Sequence, residues 1–249
     1  MKVKAILVAG GHGTRLFPFT KYTQKTLLPL FERPVIDYAL GTIRRSGIKD
    51  ITIISNQFIG QIAKHVGTGL EGEKIHYVLE ETPNGVAEAL ELARPHNEDC
   101  RLLIYFSDNI TTVEMAEVVE QFNSSQGNPG CVLLAREEKN PEAFGVAVID
   151  GDNKVIDIVE KPTNPPSNLA IGGIYLFDER FWNLFDAGFA EMGADFSISD
   201  VTRRYVKDGS ATLLTVGEET WVDCGTAESL LQASIMARDG KLNPKPHRG

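Results

Sequence analysis

The chain has 249 residues, 42% of them hydrophobic and 24% charged, enough to bury a sizeable core and unlike a disordered segment. A formal charge of −9 argues against non-specific binding to nucleic acid or to an anionic membrane. Cys100, Cys131 and Cys224 stand far apart with no CxxC pair, which fits reduced thiols in a cytoplasmic protein and excludes a disulfide or zinc framework.

The first element is a hydrophobic strand, VKAILVAG (Val3–Gly10), running directly into GGHGTR. It has no small-residue cleavage site and is too short to span a membrane, so it is expected to be the first strand of the fold. Gly10, Gly11 and Gly13 lack Cβ atoms and let backbone N–H groups close on an anion. Thr14 follows, and Arg15 adds a planar, permanently charged donor fork suited to phosphate oxygens. The P-loop pattern is absent, and the dinucleotide fingerprint started at Gly11 fails at Leu16. A ligand-free glycine turn is the plain alternative, and Thr14 with Arg15 weighs against it. Lys25 supplies a second positive charge, and an acidic chain gripping a polyanion calls for a divalent cation.

Pro34 opens an amphipathic helix that Gly47 ends, and strands at KDITIISN, KIHYVLEE, CRLLIYFSDNI and GCVLLAREE alternate with helical stretches. This β-α repetition predicts a mostly parallel sheet flanked by helices. FGVAVIDGDNKVIDIVEKP then predicts a hairpin, followed by the proline-stiffened loop TNPPSN, the strand AIGGIYLFD, and further helices and strands. We expect one domain over residues 1–239, with a nucleotide half to about 135, an inserted β-rich half over 136–239, and a mobile tail at 240–249.

GGHGTRLFPFT…KTLLPLFERPVIDYAL resembles the sugar-nucleotide pyrophosphorylase (nucleotidyltransferase) family, closest to a short form of the glucose-1-phosphate thymidylyltransferases. TPNGVAEAL, FSDN, FGV, VEKP, AIGGIY, SISDVTRRY and WVDCGT also resemble family segments, in family order, across residues 3 to 238. The resemblance implies an α/β Rossmann-like fold with an inserted sugar-binding part. It also implies a reaction in which a sugar 1-phosphate attacks a nucleoside triphosphate, serving nucleotide-sugar and polysaccharide biosynthesis. Gly10, Gly11, Gly13, Thr14, Arg15, Lys25, Glu80, Gly85 and Asp108 are then expected at the nucleotide, with Arg15, Lys25 and Asp108 catalytic. Gly145, Glu160, Lys161 and Gly172 are expected at the sugar phosphate, and Asp108 with Asp223 as Mg²⁺ ligands.

Two departures bear on specificity. Gly172-Gly173 stands where thymidylyltransferases carry Thr-Gly, which removes a hydroxyl near the sugar. Glu80 stands where a glutamine is usual, and an ionised glutamate only accepts hydrogen bonds. dTTP or UTP with glucose 1-phosphate is the expected pair; GTP or CTP, or a non-catalytic relative of the same fold, are the alternatives. A dehydrogenase is disfavoured by the failed fingerprint. Longer thymidylyltransferases carry extra C-terminal helices, so weaker product feedback and a small homo-oligomer are expected.

Overall fold

The opening hydrophobic run forms β1 (Val3–Val8), with alternate side chains entering two cores as a strand covered on both faces requires. Ile6 and Val8 join one core; Val3, Ala5 and Leu7 join the other. The computed structural model describes residues 2–82, 84–124, 129–152, 154–193 and 196–242. A small ribbon, β2 (Pro29–Leu30) with β3 (Arg33–Pro34), leads into α1 (Val35–Arg45), capped by Pro34. There follow β4 (Asp50–Ser55), α2 (Ile59–Val66), β5 (Lys74–Leu79), α3 (Val86–Ala93) and β6 (Arg101–Phe106). The run expected as one strand through Ile110 is broken: the chain turns at Ser107–Asp108 and restarts as β7 (Asn109–Thr111).

Next come α4 (Met115–Ser124), β8 (Cys131–Glu137) and the expected hairpin, β9 (Gly145–Ile149) against β10 (Val155–Glu160), antiparallel. Asn153, named in the turn signal, lies outside the described residues. The chain continues with β11 (Leu169–Phe177), α5 (Phe181–Met192) and α6 (Ile198–Lys207), whose Ser197–Asp200 capping box satisfies its first N–H groups. β12 (Ala211–Thr215), β13 (Trp221–Asp223) and α7 (Ala227–Arg238) complete it. Leu242 is buried beside α7, so the chain stays packed through 242 rather than loosening at 240. Residues 243–249 of the expected tail lie outside the described residues.

Nine strands form one sheet, ordered β10-β9-β11-β6-β1-β4-β5, with β8 on β11 and β12 on β8. β5, β4, β1 and β6 are parallel, as are β8 and β12. β11 runs against β6, β8 and β9, and β10 against β9, so only β10 and β11 oppose the common direction. Helices α3, α5 and α6 cover one face and α1, α2 and α4 the other. The result is a mostly parallel, Rossmann-like sheet flanked by helices. No described helix is long and apolar enough to cross a membrane.

One irregularity positions the site. Along one side β11 pairs with β8. Along the other it pairs with β9 through Ala170 and Ile171, and with β6 through Ile174–Phe177. Gly172 and Gly173 lie between, where the register shifts. β6 ends and β9 begins on the same edge of β11, and the wedge between them opens beyond the carboxyl end of the parallel strands, where such sheets bind ligands.

Candidate active site

Two cavities meet at the end of β6. The larger, about 380 Å³, fills the wedge and is lined by Arg15, Asp108 and Asp223 on one side and by Gly145, Glu160 and Lys161 on the other. The smaller, about 250 Å³, lies over the ends of β1 and β5 and is lined by Gly10, Gly11, Lys25, Glu80, Gly85 and Asp108. Asp108, Phe106 and Val86 belong to both.

The glycine loop is shaped around Lys25. Gly13 has φ of 62°, the left-handed region that glycine tolerates best. A Cβ at Gly13 would sit 2.9 Å from Thr20 and 3.1 Å from the Lys25 side chain, and one at Gly11 3.3 Å from Lys25 Nζ. Gln24 secures this segment from below. Its buried amide donates to Ala9 O and, at 3.1 Å, to Ser55 Oγ, while its Oε1 accepts from Lys25 N–H at 2.5 Å. Lys25 Nζ then reaches across to Asp108 Oδ2. Thr14 is exposed and, like Gly13, lines neither cavity; its contribution is the short turn that carries Arg15.

Asp108 and Asp223 are brought together by the β7–β13 ribbon, which pairs Asp223 with Asn109. Asn109 accepts from Trp221 Nε1 at 2.8 Å and donates to Asp108 Oδ1 at 3.1 Å. Gly225 N–H donates to Asp223 Oδ1 at 2.7 Å, and a Cβ on Gly225 would fall 2.7 Å from Arg15 Nη2. Burial pushes the Asp223 carboxyl up, and the Asp108 carboxylate adds to this against the opposing pull of the Gly225 N–H, Lys25 and Arg15. Burial and the neighbouring carboxylate thus disfavour Asp223 as an anion even with Lys25 and Arg15 close by. Among the described residues no three His, Cys, Asp or Glu side chains cluster to hold a metal. As a donor set, two carboxylates fit Mg²⁺, which takes few of them and completes its shell with phosphate oxygens and water.

On the far wall, Glu160 ends β10 and accepts from Ser199 Oγ at 2.5 Å. Lys161 has φ of 43°, an uncommon value for a residue with a side chain, and its largely exposed ammonium lies 3.6 Å from Glu160 Oε1. Gly145 lies close against Glu160: a Cβ there would stand 3.2 Å from Glu160 Oε2, a tight contact. Gly172 occupies a different place from the one expected. It packs under the Trp221 ring, where a Cβ would collide, and Gly173 lines the cavity instead. The Cys224 thiol is buried and pushed up by burial and the two aspartates, which suits a core side chain and not a nucleophile.

Gln24, Asn109, Ser199, Trp221 and Gly225 were not anticipated from sequence. Each acts by fixing a neighbour, and only the motifs around them (KTLLP, FSDN, SISDV, WVDCGT) hinted at it.

The nucleotidyl transferase family model matches residues 4–239. The low-salt glycan biosynthesis nucleotidyltransferase Agl11 of Haloferax volcanii is 31% identical over 241 residues, covering 96% of this chain and 67% of that one. A glucose-1-phosphate thymidylyltransferase of Neisseria meningitidis is 32% identical over 235 residues, covering 93% of this chain and 81% of that one. The solved structure of a Bacillus anthracis protein assigned as a glucose-1-phosphate thymidylyltransferase, in complex with sucrose, superposes with a TM-score of 0.86 at 34% identity, covering 95% and 96% of the two chains. With a strand-end glycine loop, two facing aspartates and these relatives, the chain belongs to the nucleotidyl transferase family.

Proposed function

We propose that this protein is a sugar-1-phosphate nucleotidylyltransferase, with dTTP or UTP and glucose 1-phosphate as its substrates. The observation that carries the reading is the convergence of Arg15, Lys25, Asp108 and Asp223 where the two cavities meet, with Glu80 and Gly85 at one end and Glu160 and Lys161 at the other. A triphosphate laid over Gly10 and Gly11 directs its base to Glu80 and its α-phosphorus to Asp108. A sugar 1-phosphate in the wedge meets it from the Glu160 side.

The reaction forms one bond from a sugar-phosphate oxygen to the α-phosphorus and breaks the bond to the bridging oxygen of the β-phosphate, releasing pyrophosphate. Such in-line transfer needs positioning and neutralisation of charge more than covalent help. Arg15 and Lys25 hold the phosphates and oppose the charge that develops on them. Asp108 and Asp223 would hold Mg²⁺, which would supply further neutralisation of phosphate charge. Glu160, steadied by Ser199, accepts from sugar hydroxyls. The names of the relatives support thymidine nucleotide and glucose 1-phosphate as the pair, and a role in supplying nucleotide sugars for polysaccharide synthesis.

The test is pyrophosphate release across dTTP, UTP, GTP, CTP and ATP with glucose, mannose, galactose and N-acetylglucosamine 1-phosphates. Fastest turnover is expected for dTTP or UTP with glucose 1-phosphate. No release from any pair would sink the assignment.

A further inference from the structure

The strand that ends in Asp223 stands apart from the nine-stranded sheet: among the described residues, β13 pairs as a strand with β7. The opposite wall of the larger cavity is also lightly fastened, since β9 meets β11 through Ala170 and Ile171. Arg136 reaches both walls. It lies on β8 opposite Ala170, close to the register shift at Gly172 and Gly173. Its Nη1 donates to Trp221 O at 3.0 Å and its Nη2 to Glu138 Oε2 at 2.9 Å. The face of its guanidinium stands over the Phe144 ring, 5.4 Å from the centroid. Arg136 does not line the larger cavity, and its own side chain faces a separate hollow beside Trp221.

Both contacts lead into the site. Trp221 opens the short strand that ends in Asp223, and its indole N–H donates to Asn109, which in turn holds Asp108. Phe144 lines the larger cavity, and its carbonyl accepts the backbone N–H of Lys161 at 3.0 Å. That bond supports a residue whose φ of 43° persists only where its surroundings hold it. A guanidinium suits this place because it combines donors in fixed directions with a planar, permanently charged face. An ammonium offers a point charge on a flexible stem and cannot serve carbonyl, carboxylate and ring together. Glu138 steadies the outer end, its other oxygen accepting from the Lys139 N–H at 3.0 Å.

We infer that Arg136 is a positioning residue for the proposed transfer: from outside the cavity it fixes the spacing between the wall bearing Asp223 and the wall bearing Lys161. The inference rests on the reading of the site given above. A sugar 1-phosphate has to meet the α-phosphorus at a set distance and direction, and misplacement by about 1 Å can cost on the order of a hundredfold in rate. The sugar phosphate lies between the two walls, whereas the triphosphate lies over Gly10 and Gly11. Loosening the walls therefore acts on the sugar phosphate first. An arginine with a merely structural role would lower stability and affect both substrates alike.

The experiment compares wild type, Arg136→Ala and Arg136→Lys, all well below their melting temperatures, using the substrate pair that the wild type turns over fastest. Steady-state kinetics are read beside the indole N–H signals of the two tryptophans in proton–nitrogen NMR spectra, assigned with Trp182→Phe. In Arg136→Ala, kcat is expected to fall and KM for the sugar 1-phosphate to rise, each by about threefold to tenfold, with KM for the triphosphate changed by less than about twofold. The Trp221 signal is expected to shift while that of Trp182, bonded to Asn97 O, stays in place. Arg136→Lys keeps the charge and is expected to recover only part of the loss; it bears the test alone if Arg136→Ala fails to fold. Wild-type kinetics in the variants, equal rises in both KM values, an unmoved Trp221 signal or complete recovery by lysine each overturn the inference. Absence of pyrophosphate release in the wild type sinks the proposed reaction and the inference with it, whereas a fault in the inference alone shows only in the variants.

Discussion

The backbone N–H of Cys224 donates to the carbonyl oxygen of Asp108 at 2.8 Å, closing the β7–β13 ribbon beside the two facing aspartates. The bond joins residues far apart in sequence, at the turn through Ser107–Asp108 that separates β6 from β7. Without that interruption Asp108 would have no partner carboxylate.

Replacing either aspartate tests this pairing. In Asp108→Asn and Asp223→Asn, pyrophosphate release should fall by about a hundredfold or more, since metal-linked charge stabilisation is worth several kcal/mol. Asp223→Asn relieves a disfavoured charge, so that metal-free variant should melt no lower than wild type, whereas Asp108→Asn also strips Lys25 of its partner and should melt lower. Steady-state kinetics with thermal melts, with and without Mg²⁺, check both halves. Chelation with EDTA should silence the wild type.

Glu80 gives stability a pH dependence. Burial, and then Glu88, push its carboxyl above the ordinary 4.5 in the folded chain, so between that value and the raised one the folded state binds more protons than the unfolded. The stabilising contribution is whole below 4.5 and is lost as pH rises through the folded value. Glu80→Gln cannot titrate, so its stability relative to wild type should improve as pH rises. Urea denaturation at several pH values measures this, and a constant difference would show that the Glu80 carboxyl is not buried.

Gly225 carries a sharper prediction than its small size suggests. A methyl group there would press on Asp223 Oδ1 at 2.6 Å and on Arg15 at 2.7 Å. Gly225→Ala should therefore lower kcat by about tenfold or more, consistent with loss of precise positioning, with little change in melting temperature because both displaced groups face the cavity. By contrast, Gly172→Ala strikes the buried Trp221 ring and should destabilise by about 1–3 kcal/mol, the usual cost of overpacking.

Ser199 separates sugar from nucleotide. Its hydrogen bond holds Glu160, which faces the larger cavity and not the smaller. Ser199→Ala should raise KM for the sugar 1-phosphate by up to about tenfold, roughly one charge-assisted hydrogen bond, and leave KM for the triphosphate unchanged. Equal effects on both constants would remove Glu160 from the sugar site.

Gln24 should matter more than its silence in the sequence implies. It is buried and ties the ends of β1 and β4 to Lys25 through three hydrogen bonds, to Ala9 O, Ser55 Oγ and Lys25 N–H. Gln24→Ala leaves buried groups unsatisfied and should destabilise by about 1–3 kcal/mol, with turnover reduced through a loosened Lys25. Chemical denaturation and kinetics on the same preparation separate the two effects.

Local chemistry made much of this legible. A hydrophobic alternation entering glycines marks β1 and its loop, because a strand end packed against backbone excludes side chains. The β-α rhythm foretold the parallel sheet, since parallel neighbours need a crossover between them. Arg15, Lys25, Asp108 and Asp223 could be named from their motifs. That they face one another could not, because residues separated by such lengths of chain meet only through sheet pairing. Gly172 shows the limit most clearly. Its motif placed it at the sugar, while the fold turns it under Trp221 and gives the cavity to Gly173, the next residue on a strand whose faces alternate. Glu80 shows the complementary case. The sequence determined that a carboxyl replaces an amide there, and only the tertiary structure decided its burial beside Glu88. Protonation depends on solvent and neighbours brought in by folding, so the chemistry of that residue belongs to the packed chain and not to the letter.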